Sequence, residues 1–238
     1  MDANDRATGE GYPVRVSEGT VVLEGDLTVP AGGHGVVLFA HGSGSSRHSP
    51  RNRFVAGVLH AGGLATLLID LLTLEEEEVD LRTARLRFDI GLLAERLVHA
   101  TDWLAVAPET RELRVGYFGA STGGGAALVA AAERPDAVGA VVSRGGRPDL
   151  AGPSLPRVLA PTLLIVGGND GPVIDLNRAA MARMRAEPVL EIIPGASHLF
   201  EEPGTLDEVA RLARLWFDRH LTTSRAASEP LPRPDPTP

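Results

Sequence analysis

The sequence contains no cysteine, no long hydrophobic run and no stripe of basic residues. The lack of cysteine excludes disulfide bonds, a thiol nucleophile and a metal site with cysteine ligands. The formal net charge is −8, so nucleic acid is not an expected partner. No apolar run is long enough to span a membrane, and the polar segment 1–10 lacks the apolar core of a signal peptide. We therefore expect a cytoplasmic protein with no membrane partner.

The length and apolar content suit a single α/β domain. The chain has 238 residues, of which 43% are hydrophobic, enough to bury a sizeable core. Short apolar segments alternate with segments of helical character, which predicts a three-layer sandwich around a mostly parallel sheet of about eight strands. An antiparallel pair opens the sheet. The predicted strands are 14–16, 21–29, 36–40, 64–69, 113–117, 137–143, 161–166 and 189–193.

Helices are predicted between the strands from capping residues and apolar periodicity. Ser49 and Pro50 suit the start of one helix, and Asp80 can cap a long helix whose apolar residues recur every three or four positions. The acidic segment Leu74–Glu78 is predicted to be a loop with a solvated rim of glutamates. Further helices are predicted at 126–132, 173–186 and 205–221, the last with a capping box that begins at Thr205.

The two ends of the chain differ in composition from the domain at 13–222. Residues 1–12 are polar and are predicted to form a flexible lead-in. Residues 223–238 contain five prolines among small and charged residues, from Pro230 to Pro238. Such a composition predicts a disordered tail.

The stretch from Leu113 to Gly125 carries the strongest functional signal. Its residues 119–123 read Gly-Ala-Ser-Thr-Gly, and they follow a strand and precede a helix, as a nucleophile elbow requires. The sharp turn exposes the Ser121 hydroxyl and leaves no room for side chains at the two glycines. The free N–H groups of the following helix suit an oxyanion. The plain alternative is a tight turn with a capping serine.

Polar side chains also follow other strands of the predicted sheet, at the edge where ligands bind in such folds. A serine hydroxyl needs a base to take its proton, and the base needs a partner that orients it. Ser121, Asp170 and His198 can supply the nucleophile, the acid and the base. They occur in the chain order Ser–Asp–His. Asp149, which follows the strand at 137–143, is the alternative acid.

Over residues 14–221, the chain resembles the α/β-hydrolases, and within them the dienelactone hydrolase-like branch. The resemblance rests on four motifs: His41-Gly42, Gly119–Gly123, Gly168-Asn169-Asp170 and Gly195–Phe200. It implies an α/β-hydrolase fold with little or no cap domain, hydrolysis of acyl or lactone bonds, and no cofactor. Matched position by position, it implies that Ser121 is the nucleophile, Asp170 the acid and His198 the base. It also implies an oxyanion hole formed by the backbone N–H groups of Thr122 and Ser43.

Two departures from the family narrow the expected chemistry. True dienelactone hydrolases have a cysteine nucleophile where this chain has Ser121, and a glutamate where it has Gly42. Dienelactone is therefore not the expected substrate, and a small ester, thioester or other lactone is favoured. The short span between Ser143 and Pro161 leaves no room for a large lid. The alternatives are a perhydrolase, a C–C bond hydrolase, or a non-hydrolytic module that works beside a phosphoribosyltransferase, since similar hydrolase domains are sometimes joined to one.

Several other residues are candidates at the site. His41 is expected to shape the oxyanion loop by hydrogen bonding. Arg144 and Arg147 could hold a substrate carboxylate, with a structural role for their loop as the alternative. His41, Gly42 and Phe200 are also candidates for substrate binding. No metal site is predicted, because four adjacent glutamates in an extended segment cannot converge on one ion. The sequence leaves open the charge of the substrate and the choice between a monomer and a homodimer.

Overall fold

The structure is a computed structural model that describes residues 11–222. The first strand begins at Tyr12, inside the predicted lead-in of residues 1–12. Residues 1–10 of that lead-in and the predicted tail at 223–238 lie outside the described residues.

Eight strands form one sheet in the order β1-β2-β4-β3-β5-β6-β7-β8. The pairs β1–β2 and β2–β4 are antiparallel, and every other neighbouring pair is parallel. This confirms the predicted sheet and its antiparallel opening. The strands are β1 Tyr12–Glu18, β2 Val21–Thr28, β3 Val36–Ala40, β4 Ala65–Ile69, β5 Val115–Ala120, β6 Val138–Arg144, β7 Thr162–Gly167 and β8 Val189–Ile193.

Helices cover both faces of the sheet and give it the predicted three layers. On β3, Val36 and Leu38 pack into the core under α3 and α4, whereas Val37 and Phe39 pack into the core under α1 and α6. Because alternate side chains enter opposite cores, the strand must be apolar throughout. The helices are α1 Pro50–Ala61, α2 Leu74–Thr83, α3 Ile90–Leu104, α4 Thr122–Glu133, α5 Gly171–Met181 and α6 Thr205–Leu221.

The acidic segment predicted to be a loop is the start of helix α2, so that prediction is wrong. Thr73 and Glu76 form a capping box, in which the Thr73 hydroxyl accepts from the Glu76 N–H and the Glu76 carboxylate accepts from the Thr73 N–H. Asp80 does not cap the long helix. It is buried within α2 and binds Arg87, and the cap of α3 is Asp89.

Two predictions about later helices also need correction. Helix α6 begins at Thr205, but its N-cap is Gly204, and the Thr205 hydroxyl donates to the Glu202 carbonyl instead of forming a capping box. Helix α5 runs from Gly171 to Met181 and is shorter than the predicted helix at 173–186. The start of α1 is as predicted, with the Ser49 hydroxyl accepting from the Asn52 N–H.

The span between β6 and β7 contains a 3₁₀ segment, Pro148–Arg157, which is broken by a kink at Gly152, and no cap domain is inserted there. This confirms the expectation of little or no cap domain. Within residues 11–222, no helix is long and apolar enough to cross a membrane.

Candidate active site

The predicted site residues follow strands that lie side by side in the sheet. Strands β3, β5, β6, β7 and β8 are consecutive neighbours, and all five run parallel. Their carboxyl ends therefore lie along one edge. Loop 41–46 follows β3, Ser121 follows β5, and Arg144 ends β6. Asp170 and His198 follow the last two strands.

Ser121 has the strained backbone conformation that the elbow motif predicts. Its φ is 50° and its ψ is −119°, a region that residues other than glycine rarely occupy. A Cβ atom on Gly119 would lie 2.6 Å from the Gly123 carbonyl oxygen, and one on Gly123 would lie 2.2 Å from the Ala40 carbonyl oxygen. Both glycines are needed because the backbone of β3 and the start of α4 approach the turn so closely.

His198 and Asp170 are joined by a short hydrogen bond. His198 Nδ1 lies 2.6 Å from Asp170 Oδ2, and the Asp170 carboxylate is 14% exposed. A carboxylate can only accept, so Nδ1 carries the proton, and the other ring nitrogen, Nε2, is left free as a proton acceptor in the neutral ring. This is the arrangement that a histidine base requires.

Asp149, the alternative acid, has another partner. Two hydrogen bonds of 2.8 and 2.7 Å join the Arg147 guanidinium to its two carboxylate oxygens. The Asp149 carboxylate holds the pKa of Arg147 above its ordinary value through these hydrogen bonds. The geometry thus favours Asp170 as the partner of His198, and it commits Arg147 to Asp149 rather than to a substrate.

Ser121 and His198 line one cavity of about 230 Å³ at the carboxyl edge of the sheet. Within residues 11–222, no hydrogen bond joins the Ser121 hydroxyl to the His198 ring. Hydrogen bonds between a nucleophile and its base are often long until substrate binds. The same cavity is lined by Gly42, Ser43, Ser45, Ser49, Arg51, Asn52, Ala120, Arg144 and Leu199.

Two glycines that the sequence analysis did not single out make room for His198. Gly145 has a φ of 51°, and a Cβ atom there would lie 3.4 Å from the His198 ring. A Cβ atom on Gly167 would lie 2.4 Å from the Ala196 carbonyl oxygen, so the loop that carries His198 crosses directly over the end of β7. Gly145 directly follows the apolar strand β6, and Gly167 ends the apolar strand β7. This position at the end of a strand was the only feature of the sequence that could have pointed to them.

The predicted oxyanion donors lie next to each other. The Ser43 N–H donates to the Thr122 hydroxyl at 2.9 Å, which ties loop 41–46 to the elbow. The Thr122 N–H is at the first position of α4, where a helix has no internal partner for it. The structure brings both groups to the Ser121 turn, with the Ser43 N–H bonded to Thr122 in this state.

His41 holds the oxyanion loop from beneath, as predicted. Its Nε2 accepts from the Leu71 N–H at 3.1 Å, so Nδ1 carries the proton and donates to the Gly42 carbonyl at 3.0 Å. Burial lowers the pKa of His41 below its ordinary value, although the bond to Gly42 and the nearby Asp70 carboxylate oppose this effect. His41 is therefore a neutral, structural histidine that does not line the Ser121 cavity.

The lowered pKa of His41 predicts a loss of stability in acid. The unfolded chain takes up the His41 proton at a higher pH than the folded protein does. The stabilising contribution is therefore complete above about pH 6.5 and falls as the pH drops below it. We expect the free energy of unfolding of the wild type to decrease more steeply between about pH 6.5 and 5 than that of His41→Gln. The free energy of unfolding of the two proteins can differ in slope against pH by at most about 1.4 kcal/mol per pH unit.

Urea unfolding at a series of pH values measures this difference. His220 also has a pKa that is lowered by burial. Because it is present in both proteins, its effect on the pH dependence of unfolding cancels when the two are compared. Parallel curves for the two proteins would contradict the prediction.

Arg144 is the most unusual charged group at the site. It is 7% exposed, and its Nε and Nη1 atoms have no hydrogen-bond partner. Burial, and secondarily the charge of Arg51, lowers the pKa of Arg144 to about 10, so the group stays protonated at neutral pH. Phe200, predicted to bind substrate, instead lies in the core with its ring centre 6.0 Å from the Arg144 guanidinium carbon. Phe200 therefore supports Arg144 and does not line the cavity.

The sequence analysis missed two cavity residues, Arg51 and Asn52. Both lie in the first turn of α1, outside the four motifs. The only available signal was the predicted start of α1 just after the oxyanion loop. Among residues 11–222, no group of three or more histidine, aspartate or glutamate side chains could hold a metal ion.

Comparisons with known proteins agree with this geometry. A model of the dienelactone hydrolase family matches residues 75–223. The crystal structure of a dienelactone hydrolase from Anabaena variabilis is 68% identical to this chain and superimposes with a TM-score of 0.88. The match covers 89% of this chain and 98% of that one. A promiscuous phosphotriesterase, P91, described as dienelactone hydrolase-like, is only 17% identical. Its TM-score of 0.73, over 89% of this chain and 98% of its own, shows the shared fold alone.

A protein of Mycobacterium tuberculosis, provisionally named a phosphoribosyl transferase, is 61% identical over 208 residues. The match covers 87% of this chain but only 46% of the relative. The chain thus spans about half the length of the curated relatives it matches.

Proposed function

Because the chain belongs to the dienelactone hydrolase family, we propose that it is a serine hydrolase of small carboxylic esters, thioesters or lactones. The observation that carries the proposal is the shared cavity of Ser121 and His198, with His198 bonded to Asp170 at 2.6 Å. A strained elbow serine beside an oriented imidazole is suited to covalent acyl transfer.

The reaction begins when Nε2 of His198 takes the proton of the Ser121 hydroxyl. The Ser121 oxygen then attacks the acyl carbonyl, and Asp170 stabilises the imidazolium that forms. His198 returns the proton to the leaving group, and the C–O or C–S bond breaks to leave an acyl-enzyme. Water, deprotonated by the same histidine, attacks this intermediate and releases the acid and Ser121.

The negative charge of each tetrahedral intermediate falls on the former carbonyl oxygen. The Thr122 N–H, at the N-terminus of α4, has no partner within the helix and can donate to it, and the Ser43 N–H can donate once the Thr122 hydroxyl rotates away. Loss of one such donor typically costs about 3–4 kcal/mol of transition-state stabilisation.

The shape of the site favours small acyl groups. The cavity of about 230 Å³ is smaller than the roughly 300–1,000 Å³ common for drug-sized ligands. No cap domain is present within residues 11–222 to enclose a long lipid chain.

A panel of p-nitrophenyl acetate, p-nitrophenyl butyrate and a short acyl thioester tests the proposal. We expect turnover of at least one ester above the rate in buffer. We also expect an acetylated peptide containing Ser121 when the acetate reaction is quenched with acid and digested for mass spectrometry. A folded protein that turns over none of these substrates and shows no acetylated peptide would refute the proposal. Peroxide-dependent halogenation in acetate buffer, tested in parallel, identifies a perhydrolase.

The relatives favour a second candidate function, as a module that works beside a phosphoribosyltransferase. This chain matches about half of a relative that carries that name. Co-purification of the tagged chain with a phosphoribosyltransferase from its own cells would support this role. Catalysis by the isolated chain does not depend on it.

A further inference from the structure

The Ser121 cavity is lined by a buried arginine, Arg144, that forms no ion pair with any carboxylate of residues 11–222. Arg144 is 7% exposed, and two of its three guanidinium nitrogens have no partner. Its guanidinium carbon lies 6.0 Å from the ring centre of Phe200, and this ring carries no charge that could neutralise it. A buried charge without a hydrogen-bonding partner costs several kcal/mol. A buried, unpaired charge in a native protein therefore needs an explanation. One explanation is that it binds a ligand.

A second guanidinium lines the same cavity. Arg51 extends from the first turn of α1, and its Nε is also buried without a partner. Its Nη1 lies 3.5 Å from Glu201, whose side chain is 64% exposed, so this ion pair lies at the solvent side and is weak. Besides burial, the charge of Arg51 helps to lower the pKa of Arg144, so the two arginines repel each other, and an anion bound to both would offset that repulsion.

The rest of the cavity lining has no negative charge. It contains small, amide and hydroxyl residues together with Leu199 and His198, and no carboxylate of residues 11–222 lines it. Asp170 is turned to His198 and does not reach the cavity surface. The N-terminus of α1 lies at the same cavity, through Ser49, Arg51 and Asn52, and contributes the positive end of a helix dipole. The cavity is therefore positive in a chain whose net charge is −8.

We propose that Arg144 and Arg51 bind an anionic group of the substrate, so that the preferred substrates are small esters that carry a carboxylate or a phosphate. This inference rests on the proposed function, because it names the substrate class for the same cavity. The guanidinium groups of Arg144 and Arg51, which both line the cavity, donate hydrogen bonds to the carboxylate or phosphate of the substrate. The ester carbonyl then lies at Ser121.

The test compares three acetate esters of one shape: 4-acetoxybenzoate, 4-acetoxyphenyl phosphate and the neutral 4-acetoxybenzamide. Each kcat/KM is divided by the rate of hydrolysis of the same ester in buffer, which removes differences in chemical reactivity. A charge-assisted hydrogen bond is worth about 1.5–3 kcal/mol. We therefore expect an anionic ester to be preferred to the benzamide by about 10–100-fold. The better of the two anions identifies a carboxylate or a phosphate.

The arginine variants show whether these side chains cause the preference. Arg144→Gln and Arg51→Gln are expected to reduce the ratio of anionic to neutral kcat/KM to within about twofold of one. Arg144→Lys, which keeps the charge, should retain part of it. Arg147→Gln is the matched control, because Arg147 is paired with Asp149 outside the cavity, and its ratio should equal that of the wild type. If Arg144→Gln does not fold, Arg51→Gln decides, since its side chain is 35% exposed.

Binding of 4-hydroxybenzoate and 4-hydroxybenzamide, measured by calorimetry, separates this inference from the proposed function. The inference is overturned if the neutral ester is turned over as well as the anionic esters, or if the preference for anionic esters persists in both glutamine variants. In either case the proposed hydrolase function still stands. If no ester is hydrolysed, but the carboxylate binds to the wild type and not to Arg144→Gln, the anion site is supported and the hydrolase is refuted. If the carboxylate binds no better than the amide and no ester is hydrolysed, both are refuted.

Discussion

Replacement of Ser121 by alanine is expected to lower kcat for p-nitrophenyl acetate by about 10⁴-fold or more. Alanine keeps the Cβ atom and the backbone strain at φ 50°, so the elbow and the fold are preserved. Only the oxygen that attacks the carbonyl is lost. Stopped-flow or steady-state release of p-nitrophenol from the purified variant measures the effect.

Ser154→Ala is the matched control for this substitution. The Ser154 hydroxyl accepts from Arg157 in the 3₁₀ segment and does not line the Ser121 cavity, so its turnover should equal that of the wild type. If Ser121→Ala, with an unchanged unfolding midpoint, retained more than about a tenth of the wild-type kcat, Ser121 would not be the nucleophile.

Asp170→Asn is expected to lower kcat by about 10³–10⁴-fold. An asparagine side chain can donate to Nδ1 of His198, which favours the wrong tautomer and removes the charge that stabilises the imidazolium. Stability should change little, because Asp170 makes no side-chain bond that caps α5. Steady-state kinetics over a range of pH measure the loss.

Asp149→Asn provides the contrast. It breaks the ion pair between Asp149 and Arg147. Both side chains are partly exposed, that of Arg147 at 38% and that of Asp149 at 26%. Such a pair contributes about 0–1 kcal/mol, so kcat should stay within about fivefold of the wild type. If the two aspartate variants showed the reverse order of activity, Asp149 would be the catalytic acid.

The sheet and the residues at its strand ends could be predicted because they depend on local rules. Buried strands such as Val36–Ala40 need apolar side chains on both faces, and the residues that follow them fall at one edge. The elbow was predictable because close backbone contacts at the turn require glycine at positions 119 and 123, and these two glycines are part of the motif. The order of the chain then associated Ser121 with Asp170 and His198.

Other features depend on contacts that a linear reading does not weigh. The glutamates after Leu74 suggested a solvated loop, but the capping box of Thr73 with Glu76 starts a helix there, and Arg96 pairs with Glu76. Arg51 could not be placed at the site because it lies on α1, outside the four motifs, and it meets Ser121 at one cavity only in the folded chain. The pairing of Arg147 with Asp149, two residues apart, was a local signal that would have argued against both as site residues.

The most direct measurement of the central claim is labelling of the folded protein with a fluorophosphonate, followed by mass spectrometry of its peptides. The account predicts one equivalent of label on the peptide that contains Ser121, no label on Ser121→Ala, and much slower labelling of Asp170→Asn. Absence of label from the folded wild type, or label on a different residue, would contradict it.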